Sequence, residues 1–154
     1  MIQRVQSIWL LLAALTLICL FFLPLLTKSV NNTEYQLYID GHHQTVKEAN
    51  GTSISTTPIG AMILNGVSIL LCLTCIFQFK NRPMQKRLIM INMILIIVTA
   101  VLSALNASLF PGGITGSSVH LGSSLFLFAL IFCMLAIRGI RKDEQLLRSA
   151  DRLR

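Results

Sequence analysis

The chain has 154 residues, of which 54% are hydrophobic and only 12% charged, with a mean hydropathy of +0.71 and a formal charge of +7. Soluble domains carry roughly 25% charged residues, so this composition excludes an ordinary water-soluble globule and points to a membrane protein. The positive charge does not call for nucleic acid, because eleven of the thirteen Lys and Arg residues fall at Arg4, in Lys80–Arg87 and from Arg138 onward, where the cytoplasmic retention of cationic loops accounts for them.

A helical span needs roughly 20 apolar residues to cross about 30 Å of hydrocarbon. Four runs qualify: Ile8 to Leu26, Ile59 to Phe79, Leu88 to Leu109 and Val119 to Ile137. The expected fold is an all-α membrane protein, four transmembrane helices in an up-down bundle with a small extracytoplasmic β-hairpin, forming a single domain over 1–154. Met1-Ile2-Gln3-Arg4 resembles the opening of a signal peptide, but the apolar run continues to Leu26 without a small-x-small cleavage site, so it is expected to stay as an anchor. Trp9 lies where an indole N–H could reach the headgroups, and Pro24 falls in the expected last turn.

From Thr27 to Pro58 the chain is polar and carries both charge signs, as expected of a translocated loop. Tyr35, Leu37 and Ile39 alternate with polar neighbours, and Asp40-Gly41 suits a type I′ turn before a returning strand from His42 to Val46. A lone hairpin is marginal in water, so this one should rest on the helix ends or on a partner. Adjacent strand residues point to opposite faces, so His42 and His43 cannot both reach one metal ion, and no metal or cofactor is expected. Thr57-Pro58 supplies an N-cap and an N1 proline for the second span.

In the second span Asn65, Ser68, Cys72 and Cys75 share one helix face, and the third span repeats the pattern with Asn92, Thr99, Ser103 and Asn106. Cys72-Leu73-Thr74-Cys75 spells CxxC, but the setting is hydrocarbon and the outer loop holds no cysteine pair for exchange. These eight residues are therefore read as a polar helix-packing seam, small and polar side chains that let helices approach in lipid. The short cationic loop implies an antiparallel pairing in which Asn65 faces Ser103, Ser68 faces Thr99 and Cys75 faces Asn92. Gly122, Ala129, Cys133 and Ala136 give the fourth span a small-residue face, with Ser117 or Ser118 as its cap. No Asp, Glu, Lys, Arg or His lies well inside any span, unlike the usual proton-coupled transporter, and no catalytic constellation is present, so an enzyme is not expected.

After Ile137 the tail places Arg141, Lys142, Arg148 and Arg152 where they could meet anionic headgroups or a partner, on a helical extension lying at the membrane surface. The opening, Met1-Ile2-Gln3-Arg4-Val5-Gln6-Ser7-Ile8-Trp9 through Ala14, and the close, Ile140-Arg141-Lys142-Asp143-Glu144 with Arg148 to Arg154, resemble an uncharacterised family of four-span membrane proteins from Bacteroidetes. The resemblance implies a bacterial inner membrane, with the outer loop periplasmic and both termini cytoplasmic, and it brings no site residues. The expected function is a non-enzymatic subunit, scaffold or assembly factor of a membrane complex. Its expected partners are anionic lipid and another membrane protein or a second copy, with no nucleic acid. The alternatives are a small transporter or ligand sensor, and a CxxC redox protein.

Overall fold

The computed structural model describes residues 3–30, 33–46, 51–55, 59–78, 81–108 and 116–151. Among them are four helices, α1 (Gln3–Cys19), α2 (Gly60–Phe77), α3 (Arg82–Ala107) and α4 (Leu121–Asp151), and five strands, β1 (Leu26–Val30), β2 (Thr33–Leu37), β3 (His42–Val46), β4 (Gly51–Ser55) and β5 (Ser118–Val119).

Each helix buries residues at alternating intervals of three and four. In α1 these are Gln6, Leu10, Ala13, Leu17 and Leu20 at its end; in α2 Ala61, Asn65, Ser68, Cys72 and Cys75; in α3 Gln85, Ile89, Asn92, Ile96, Thr99 and Ser103; in α4 Phe126, Ala129, Cys133, Ala136, Ile140 and Asp143. That average of 3.5 is the repeat of a coiled-coil-like packing seam, and it leaves the other faces apolar and open: Ile63, Leu70, Ile94 and Leu105 are all at least half exposed. α1 packs on α2 and α4, and α3 on α2 and α4. Trp9 stacks on Phe132 of α4 with ring centroids 5.9 Å apart, so its ring is a packing element within the helices.

α1 stops at Cys19, seven residues before the expected end of the first span. Phe21, Phe22 and Leu23 turn back on carbonyls of Ile18 and Cys19, and Pro24 prevents the helix from resuming. Hydropathy alone cannot separate this apolar turn from helix. Leu26 therefore opens β1, and the expected hairpin is one part of a five-stranded antiparallel sheet in the order β4-β3-β2-β1-β5. β5 pairs Val119 with Leu26 and Ser118 with Thr27, so Ser118 is a strand residue and α4 begins at Leu121. At the β2–β3 turn Tyr38 and Gly41 exchange backbone hydrogen bonds of 2.8 and 3.3 Å, which makes Ile39-Asp40 the corner rather than Asp40-Gly41. The shift lets Ile39 join Leu25 and Leu37 in the core shared with the helices, and this contact seats the sheet on them.

α2 starts at Gly60 with Ile59 as its cap residue; Thr57 and Pro58 lie outside the described residues. α3 starts at Arg82, six residues earlier than expected, because Pro83 stands in the first turn, where its fixed φ favours helix and its missing N–H costs nothing. The tail is likewise no separate surface helix: α4 runs unbroken to Asp151, and Ile140 and Asp143 on it are buried.

Candidate functional site

The polar seam residues of α2 and α3 are buried, apart from the half-buried Asn106. Asn65 donates its amide to the carbonyl of Leu17 in α1 at 3.0 Å, which ties α2 to the end of α1. Asn92 donates to Cys72 Sγ at 3.0 Å and reaches Cys133 Sγ of α4 at 4.0 Å, so one amide of α3 touches two other helices. Thr99 and Ser103 turn their hydroxyls back to the carbonyls of Leu95 and Thr99 within α3, at 2.8 and 2.9 Å. Among the described residues, the amide oxygens of Asn65 and Asn92 and the hydroxyl of Ser68 have no partner.

For Asn92 the observed partner differs from the expected one. Asn92 meets Cys72, three residues before Cys75 on α2, and the carbonyl of Cys75 instead accepts from Gln85 at 3.1 Å. The early start of α3 at Arg82, with Pro83 in its first turn, accounts for a register shifted by nearly one helical turn. Gln85 lies seven residues before Asn92, and Asn92 seven before Thr99, so the heptad itself could have revealed it. All four cysteines are free thiols, and among the described residues no group of His, Cys, Asp or Glu is placed to hold a metal ion. His43 sits 3.3 Å from Asp40 and edge-on to Tyr38 within the hairpin.

A second cluster, which the sequence reading missed, closes the opposite end of the helices from the sheet. Gln6 of α1 donates to the buried carboxylate of Asp143, and Gly139, one turn earlier on α4, leaves room for the Gln6 side chain to pass. Lys86 of α3 pairs with Glu144 at 2.7 Å. Of the tail residues read as lipid or partner contacts, Arg141 and Lys142 are exposed; Arg148 lies on α4, and Arg152 falls outside the described residues.

Cavities open at the helix surface among the described residues. Under the sheet, Leu25, Leu37, Ala100, Phe126 and Leu130 surround a pocket of about 400 Å³ in which Ser103 and Ser123 are the polar wall residues. Towards the other end of α3 and α4 lies a groove of about 490 Å³.

Three helices, Gly60–Phe77, Arg82–Ala107 and Leu121–Leu146, are long and apolar enough to cross a membrane, and the apolar part of α1, Gln6–Cys19, is shorter. The fold is thus that of a helical membrane protein with a sheet at one end and fastened charges at the other. The chain belongs to the family described as a domain of unknown function, DUF4293, whose family model matches residues 2–153. No curated protein matches it.

Proposed function

We propose that this is a four-span protein of a bacterial inner membrane, an up-down bundle with cytoplasmic termini and a periplasmic sheet, serving as a non-enzymatic subunit, scaffold or assembly factor of a membrane complex. The observation that carries the reading is the use made of the interior polar groups: Asn65, Gln85, Asn92 and Gln6 each bond to a neighbouring helix, as fasteners do. α1 alone spans only about 25 Å at 1.5 Å per residue. The apolar turn Phe21-Phe22-Leu23 lengthens it towards the roughly 30 Å of hydrocarbon. The cations of α3 and α4 at the end away from the sheet agree with this orientation.

The 400 Å³ pocket beneath the sheet favours a second reading, a sensor or carrier of a small apolar ligand, since ligand sites are apolar cavities of roughly this size with few polar groups. Photo-cross-linking in cells separates the two. A cross-linker at Leu70, exposed on α2, or at Val119, at the pocket wall, should give a discrete adduct with one other membrane protein or with a second copy. A chain that forms no adduct from either position, purifies as a monomer and takes up an apolar dye displaced by Ala104→Trp would support the ligand reading instead.

A further inference from the structure

Ile131, Met134, Arg138 and Arg141 recur at intervals of three, four and three, and so share one face of α4 that is distinct from its buried face of Cys133, Ala136, Ile140 and Asp143. Met90 and Met93 of α3 face them across the 490 Å³ groove. The groove is apolar along Ile131 and Met134 and ends in two cations. Both arginines are exposed, and among the described residues neither has an acidic partner; Glu144 pairs with Lys86, and Asp143 accepts from Gln6 through one oxygen while its other oxygen is buried and reached by neither arginine.

We propose that this groove binds one anionic phospholipid, with an acyl chain along the methionines and the phosphate held by Arg138 and Arg141. The proposal rests on the membrane placement given above. It needs only the leaflet that surrounds this end of α4. An arginine fork can bond two phosphate oxygens at once, and two forks one turn apart can share a single headgroup. Methionine is unbranched and adaptable, which suits a wall against a chain of varying conformation. Basic pockets between membrane helices on the cytoplasmic side are a recurrent setting for anionic headgroups. Lys142 is also exposed but lies outside the groove, so charge at the tail and charge at the site can be told apart.

The full chain, purified in mild detergent, would be offered equal amounts of phosphatidylglycerol and phosphatidylethanolamine with identical acyl chains, and the retained lipid read by native mass spectrometry. Phosphatidylglycerol adducts should exceed the zwitterionic ones by about thirtyfold, as expected for two cations near one headgroup. Arg138→Gln with Arg141→Gln should bring the two lipids to parity, whereas Arg138→Lys with Arg141→Lys should keep a preference, which excludes misfolding as the cause. Lys142→Gln should leave the preference intact, and Met134→Trp should reduce both adducts by filling the groove. Equal retention by the unaltered chain overturns the site, as does a Lys142→Gln effect as large as that of the double variant. Displacement of the lipid by millimolar glycerol 3-phosphate would assign the arginines to a soluble phosphate and overturn the lipid assignment. Because detergent removes any sidedness, these outcomes stand apart from the orientation, which labelling in cells tests.

Discussion

Lys86, in the second turn of α3, and Glu144, near the end of α4, form a 2.7 Å ion pair between side chains that are 26% and 27% exposed. The pair joins the central basic segment to the tail, so the cations read as a topology signal also serve packing. An ion pair this open is worth about 0–1 kcal/mol. Lys86→Glu or Glu144→Lys alone should lower the thermal midpoint in detergent slightly and more at low salt, while the swapped double variant should recover most of the loss. No recovery in the swap would mean that the contact adds nothing.

Asp143 should matter more, because it is buried and accepts the Gln6 amide. Asp143→Ala leaves a buried donor without its partner, which costs about 1–3 kcal/mol. Asp143→Asn retains an acceptor for Gln6 and should cost less. Protease protection of the tail is the measurement: cleavage after Arg141 or Lys142 should accelerate in the Ala variant and change little in the Asn variant. Equal protection in both would place the docking of α4 on Ile140 and its apolar neighbours alone.

The α2–α3 register makes a sharper test. In a chain that keeps Cys72 as its sole native cysteine, Asn92→Cys should link to it with a short bifunctional reagent, because Asn92 lies 3.0 Å from Cys72 Sγ. In a chain that keeps only Cys75, the same substitution should react less. The reverse preference would restore the pairing of Asn92 with Cys75 that loop symmetry suggests.

That pairing shows where sequence reasoning stops. The bounds of α2 and the strands on either side of Asp40 were legible because periodicity and turn chemistry are local. The end of α1 was not, because Phe21, Phe22 and Leu23 are as hydrophobic as a helix would require. β1 and β5 pair Leu26 with Val119 across most of the chain, a contact no local pattern carries. For the candidate site, the spacing put the polar residues of α2 and α3 on two stripes, and those stripes are buried, but their mutual offset depended on where α3 begins. Pro83 held that information. Gln6 and Asp143 sit at the ends of apolar runs, where a polar residue reads as interfacial, so only the packed structure reveals them as partners.

Sidedness can be read by labelling. Gln85 is buried and would report poorly, whereas Asn81 and Ser118 are exposed at opposite ends of the helices. With the native cysteines removed, Ser118→Cys should react with an impermeant maleimide on intact spheroplasts, and Asn81→Cys only after permeabilisation. Labelling of Asn81→Cys from outside would invert the proposed orientation.

Gly122 gives the most demanding prediction for the outer end. A Cβ at this position would stand 2.4 Å from the Pro24 carbonyl oxygen and 2.9 Å from that of Leu23, and both are backbone atoms that no rotamer change can move aside. The close approach exists because the chain leaving α1 must cross the start of α4 to reach β1, whose first residue pairs with Val119 of β5. The Leu25 carbonyl accepts the His120 N–H at 3.2 Å, and the Leu25 N–H reaches Leu37, so this crossing also fixes the sheet to the helices. Gly122→Ala should therefore separate the segment around Pro24 from α4 and cost about 1–3 kcal/mol, as overpacking at a tight contact does. Gly60→Ala and Gly66→Ala, where an added Cβ meets nothing within 4 Å, should be neutral or slightly stabilising. The comparison would be made on the full chain in detergent, by thermal midpoint and by labelling of Leu25→Cys, a buried position that should stay protected in the Gly60 and Gly66 variants and become reactive in the Gly122 variant. Protection of Leu25→Cys together with an unchanged midpoint in Gly122→Ala would show that the crossing yields without loosening the sheet. The sheet would then be held by Leu37 and Ile39 against the helices, with the Pro24 contact incidental.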